Sequence, residues 1–98
     1  MAEYLTVFRA NVAEGDVKPL LDVEPKAIAE AKGLCPELLG ADPVNLGDGV
    51  WLHVLRWSAA DSVERLMARA EEFDLVHTMH GYLAGAEEVG HGEVVNRS

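Results

Sequence analysis

Hydrophobic and polar positions alternate most cleanly from Val50 to Trp57, VWLHVLRW. Side chains alternate along a strand, so Trp51, His53, Leu55 and Trp57 fall on one face and Val50, Leu52, Val54 and Arg56 on the other. Tyr4 to Val12 alternates in the same way, with Tyr4, Thr6, Phe8 and Ala10 opposite Leu5, Val7, Arg9 and Asn11. Both faces of that segment are largely apolar at its start, as in a central strand covered on both sides. Glu14-Gly15-Asp16 is turn chemistry.

The period then changes from two to that of a helix. From about Val17 to Lys32, Leu20, Leu21, Val23, Ala27, Ile28, Ala31 and Leu34 supply apolar positions at helical spacing, with Pro19 suited to a first turn and Gly33 to a stop. Pro25 lies inside the pattern and predicts a kink or two short helices. Pro36 to Leu46 reads as a weaker second strand, in which Gly40 and Pro43 predict a bulge or an edge position. Gly47-Asp48-Gly49 is a hairpin turn into the third strand. Ser58 and Asp61 form an S-x-x-D capping box, predicting a helix directly after that strand and running to about Glu72, with Val63, Leu66, Met67 and Ala70 as its apolar stripe. Leu75 to Leu83 predicts a further helix and His91 to Asn96 a final short strand.

The order β-α-β-β-α-(α)-β is the split βαβ, ferredoxin-like α+β arrangement, with a four-stranded antiparallel sheet carrying helices on one face. Its first and third strands are central neighbours. The Tyr4/Thr6/Phe8 face then coincides with the Trp51/His53/Leu55/Trp57 face. The other shared face, Leu5, Val7, Leu52 and Val54, is too apolar for water and predicts a homodimer made sheet against sheet. The 98 residues suit one domain, spanning 1–98, with a modest core.

The formal net charge of −9 argues against nucleic acid or an anionic membrane as partner, because both reward Lys and Arg patches. No apolar run has the length of a membrane span, and the N-terminus lacks the basic and apolar regions of a secretory signal, so the expected location is cytoplasmic. The one cysteine, Cys35, excludes an internal disulfide and reads as a buried, inert thiol.

Candidate chemistry centres on the histidines. His53 between Trp51 and Trp57 could accept a phenolic proton, its titration suiting base work near neutrality, while the tryptophans stack on an aromatic ligand. The competing reading makes the tryptophans core and His53 a satisfied buried histidine. His77 and His80 lie three apart on one side of a helix. They lack a third metal ligand at convincing spacing, Glu87 and Glu88 lying beyond the helix, so no metal is expected. With Tyr82 as hydroxyl donor they could line the same pocket. Arg9 and Arg56 occupy similar positions on the apolar sheet face, where each is expected to pair with an acidic residue at the rim; Asp42 has no evident partner. Gly47-Asp48-Gly49 is not a phosphate-binding loop.

Gly15 after the first strand, Cys35-Pro36-Glu37-Leu38-Leu39-Gly40 leading into the second, and Trp51 through Trp57 followed by Ser58-Ala59-Ala60-Asp61 resemble the antibiotic-biosynthesis-monooxygenase-like proteins of the dimeric α/β-barrel superfamily. The resemblance covers almost the whole chain in element order. It implies a ligand cavity between sheet and helices in each protomer. Members of the superfamily oxidise polycyclic phenols without a cofactor, degrade heme or isomerise small rings. Heme-degrading members carry an asparagine on the first strand, where this chain has Phe8, and a tryptophan on the helix after the third strand, which this chain lacks; only His77 matches their histidine. The expectation is therefore a cofactor-independent monooxygenase-like protein acting on a small aromatic or polyketide-like molecule, with no metal or flavin. His53, His77 and His80 would be catalytic, and Phe8, Trp51, Trp57 and Tyr82 would enclose the ligand. A non-catalytic ligand-binding or stress-related dimer and a cofactor-free cyclase or isomerase are the alternatives on the same fold.

Overall fold

The computed structural model describes residues 2–95. Four strands, β1 (Tyr4–Asn11), β2 (Leu38–Gly47), β3 (Val50–Trp57) and β4 (Ala84–Glu93), form one antiparallel sheet in the order β2-β3-β1-β4. Three helices, α1 (Val17–Leu34), α2 (Ser62–Ala68) and α3 (Asp74–His80), complete a ferredoxin-like α+β arrangement. Among the described residues no helix is long and apolar enough to cross a membrane.

The β1–β3 register places Tyr4 opposite Trp57, Thr6 opposite Leu55, Phe8 opposite His53 and Ala10 opposite Trp51, so the two predicted faces coincide. This face packs beneath the helices. Burial along β3 alternates strictly, with Trp51, His53, Leu55 and Trp57 buried and the residues between them half-buried. The core falls into two clusters. One joins Ala31, Cys35, Leu38, Leu55, Trp57 and Val63; the other joins Val12, Leu20, Ala27, Trp51 and Met79.

α1 is continuous through Pro25, where two short helices or a kink were expected. The residues it buries are Leu20, Glu24, Ala27 and Ala31, so Pro25 falls on the opposite, exposed face. The carbonyl deprived of its amide partner belongs to Leu21, a residue on the exposed side of the helix. Pro36 ends the helix by forcing Cys35 out of helical geometry, at φ −132° and ψ 86°.

β2 is an edge strand with irregularities beside Leu39 and Leu46, as Gly40 and Pro43 predicted. A Cβ at Gly40 would collide with the Arg56 guanidinium, which lies across it. The Arg56 Nε stands 3.9 Å from Asp42 Oδ2, which identifies the acidic neighbour of that arginine. Arg9 is exposed and registers opposite Glu87. The β2–β3 turn holds Gly47, Asp48 and Gly49 all at positive φ, which favours these residue types; the Asn45 side chain accepts the Gly47 N–H at 2.8 Å.

The capping box does not form. α2 begins four residues after Ser58, with Asp61 at its N-cap position but making no side-chain cap. The Ser58 amide is spent on the Glu37 carbonyl, and the Asp61 carboxylate accepts from Arg65 at 3.1 Å. The helix also stops short of Glu72. Arg69 turns to the Leu34 carbonyl and the Glu72 carboxylate, and a 3-10 turn, Ala70–Glu72, separates α2 from α3.

β4 starts seven residues before the predicted strand and carries no hydrophobic alternation; Asn96, its predicted end, lies outside the described residues. Every residue of β4 is exposed, so its ladder to β1 and one side-chain chain hold it in place. The Trp57 Nε1–H donates to Thr6 Oγ1 at 3.0 Å, and the Thr6 hydroxyl faces His91 Nδ1 at 2.7 Å. His91 Nε2 lies 3.0 Å from the Ala60 carbonyl. A carbonyl only accepts, so Nε2 carries the proton and Thr6 donates to Nδ1.

Candidate functional site

Between the helix-covered sheet face and α3 lie two adjoining cavities of about 50 Å³ and about 100 Å³. Phe8, Leu55, Leu66, Val76 and His80 line both. His53 closes the inner one and His77 flanks the outer one. The walls are apolar apart from these imidazoles. A third, nearly filled space of about 10 Å³ behind Phe8 and His53 is lined by Trp51, Glu24, Met79 and Leu83.

Glu24, which sequence reasoning missed, faces His53. Its Oε1 is 3.5 Å from His53 Nε2, a long contact, and both residues are buried at 8% exposure. A buried carboxylate needs a partner, and His53 is the one present. The signal was in the sequence: Glu24 interrupts the stripe Leu20, Ala27, Ala31 at the spacing of the buried helix face. A carboxylate behind a histidine orients the ring and supports the positive charge the ring acquires on taking a proton.

The remaining expected site residues divide. Phe8, His53, His77 and His80 are brought together. Trp51 reaches only the nearly filled inner space and packs with Val12, Leu20, Ala27 and Met79. Tyr82 is half-buried against that same cluster. Trp57 is fully buried among Ala31, Cys35, Leu38, Leu55 and Val63, and is not among the residues lining these cavities. Cys35 is buried, and its thiol donates to Glu37 at 3.3 Å. Burial, and then the Glu37 carboxylate, push that thiol above its ordinary value, away from nucleophilic reactivity.

The outer wall of the site depends on a cap supplied by another helix. Phe73, at the N-cap position of α3, offers no side-chain acceptor. Glu30 of α1 takes that role, accepting the Leu75 amide at 3.0 Å and the Val76 amide at 3.2 Å. Glu30→Ala is expected to cost about 1 kcal/mol, the usual loss for an N-cap, and to speed amide hydrogen exchange in α3 before the sheet responds. Native-state exchange checks this.

His80 is held below the usual histidine value, first by desolvation and then by its neighbours His53 and His77. It is therefore largely neutral at pH 7. Because its folded value lies below its unfolded one, its contribution to stability is complete above pH 6.5 and is lost as pH falls below it. His80→Gln is expected to flatten that part of the stability profile, read from urea midpoints between pH 7.5 and 5. Among the described residues no group of three or more His, Cys, Asp or Glu is arranged to hold a metal ion.

Solved structures share this fold. SnoaB, a cofactor-independent oxygenase from Streptomyces nogalater, is 18% identical, with a TM-score of 0.68 over 100% of this chain and 96% of its own. A candidate antibiotic biosynthesis monooxygenase from Caulobacter crescentus CB15 is 14% identical, with a TM-score of 0.68 over 99% of this chain and 92% of its own. A dimeric ferredoxin-like protein from an uncultured marine organism is 8% identical, with a TM-score of 0.68 over 100% of this chain and 92% of its own. These similarities establish the fold that the residues around Gly15 and Trp51–Trp57 resemble. No family model matches the sequence, and no curated protein matches it.

Proposed function

We propose that the protein is a cofactor-independent oxygenase acting on a small, single-ring phenol or hydroquinone. The observation that carries this reading is the apolar cavity with a carboxylate-backed histidine at its inner end. Cavities of about 50 Å³ and about 100 Å³ are together of the order that accommodates one benzene ring in an apolar interior. That size favours one ring over a polycyclic skeleton. Phe8 and Leu55 offer apolar faces to the ring. With His53 Nε2 turned to Glu24, Nδ1 is left to take the phenolic proton. The electron-rich phenolate then reacts with oxygen. The substrate supplies the electrons; one oxygen atom enters the ring product and the other leaves as water. The fold shared with SnoaB is consistent with such chemistry.

An oxygen electrode tests this with one-ring and three-ring phenols. Uptake with one-ring substrates, lost in His53→Gln, supports the reading. Binding without uptake favours a ligand-binding protein, and conversion without oxygen favours an isomerase or cyclase.

The same reading includes a homodimer. Leu5, Val7, Leu52 and Val54 are half-buried on the sheet face opposite the helices, and Val44 on β2 is 38% exposed. A second copy laid against them would remove this apolar face from water. Val54→Asp is expected to shift the protein from dimer to monomer in sedimentation velocity while leaving its circular dichroism unchanged.

A further inference from the structure

Among the described residues, Phe8 alone borders all three spaces on the helix-covered face of the sheet. His53 borders the nearly filled space and the cavity it closes, but not the outer cavity. Leu55 and His80 border the two cavities, but not the nearly filled space. The strand explains this position. On the helix-covered face of β1, Phe8 stands between Thr6 and Ala10, both small and both buried. Side chains rise roughly perpendicular to a sheet, so the Phe8 ring is the one tall feature at the middle of β1. It registers opposite His53 on β3 and Glu88 on β4. Its ring is half-buried and has no polar atom, so packing alone holds it. His53 differs, because removing its imidazole would leave the buried Glu24 carboxylate without its partner.

We propose, on the reading of this cavity as a phenol site, that Phe8 is the residue that sets substrate size: its ring is the partition that restricts the site to one aromatic ring, and shortening it admits two fused rings. Truncation to alanine takes one benzene ring out of the wall, so the space gained is that of one further ring. That space joins the cavities of about 50 Å³ and about 100 Å³ to the nearly filled space beside Trp51. Packed interiors collapse only partly around a deleted side chain, so much of the gain remains open. The surfaces it exposes are apolar, Leu55 on one side and Trp51, Met79 and Leu83 on the other, which suits a second aromatic ring. His53 and Glu24 stay in place, so the hydroxyl of the larger ligand meets the same imidazole.

Binding calorimetry with phenol and naphthol under anaerobic conditions tests this without turnover. The wild-type protein is expected to bind phenol about tenfold or more tightly than naphthol, and Phe8→Ala to reverse that order, because even one methylene in an apolar pocket is worth roughly 10–200-fold. Phe8→Ala keeping the wild-type order overturns the role of Phe8, as does wild-type protein that binds naphthol as tightly as phenol. Met67→Ala is the control, since Met67 is exposed and borders the outer cavity alone. It is expected to keep the wild-type order; a reversal there too means that any enlargement admits the second ring, and overturns the assignment to Phe8. If Phe8→Ala loses the wild-type circular dichroism, Phe8→Leu decides. Its thinner wall is expected to narrow the preference for phenol by about threefold or more, and an unchanged preference overturns the inference. A reversed order in Phe8→Ala, with no oxygen uptake by the wild-type protein, supports Phe8 as the partition and removes the oxygenase reading. Binding of neither compound by either protein overturns both.

Discussion

His53→Gln is expected to lower turnover of a one-ring phenol by roughly 10²–10⁴-fold, the contribution of a positioned general base. Glutamine keeps a polar group within reach of Glu24 but cannot take a proton, so folding and ligand binding are expected to survive while the chemical step fails. In kinetic terms kcat falls with little change in KM. Glu24→Gln keeps a hydrogen-bonding partner for His53 and removes the charge behind it. Its expected loss is smaller than that of His53→Gln, because the base remains and only its orientation and charge support weaken. Equal losses in the two variants would mean that the carboxylate, not the imidazole, handles the proton. Steady-state oxygen uptake across pH 5.5–8.5 separates these outcomes.

The largest stability effect is expected at Trp57. Its side chain is fully buried at the meeting of β3, α1 and α2, and its indole N–H donates to Thr6. Trp57→Ala removes the largest fully buried side chain of the protein, and large-to-small changes of this kind cost about 3–5 kcal/mol. Domains of this size are stabilised by only about 5–15 kcal/mol, so the variant is expected to sit close to unfolding. Trp57→Phe fills more of the site and loses the bond to Thr6, which still donates to His91. It is expected to be clearly milder. Urea denaturation measures both, with an unchanged slope indicating that the folded state, not the unfolded ensemble, carries the effect.

The two tryptophans of β3 show what the sequence could and could not reveal. Period-two alternation fixed which face they share and, with β1 beside β3, which residues lie opposite them. It could not separate Trp51, at the edge of the inner space, from Trp57, sealed in the core, because that depends on where the helices cross the sheet. Glu24 shows the opposite case. Its pattern was legible, a charge on an otherwise apolar helix stripe, but its partner His53 lies 29 residues away and only the fold brings them together. Local signals failed where longer-range bonds competed for the same groups. Ser58 and Asp61 look like a cap, yet Glu37 and Arg65 claim them. Pro25 looks like a break, yet it lies on the exposed side of a continuous helix, away from the buried stripe. β4 carries no pattern to read, since an exposed edge strand is specified by its neighbour's ladder and not by its own apolar periodicity.

The most direct measurement is a crystal structure of the protein soaked with a one-ring hydroquinone under anaerobic conditions. The account predicts the ring beside Phe8 and Leu55, one hydroxyl within hydrogen-bonding reach of His53 and the far edge toward His80. A ring bound on the open Leu52–Val54 face, with the His53 cavity unchanged, would contradict it.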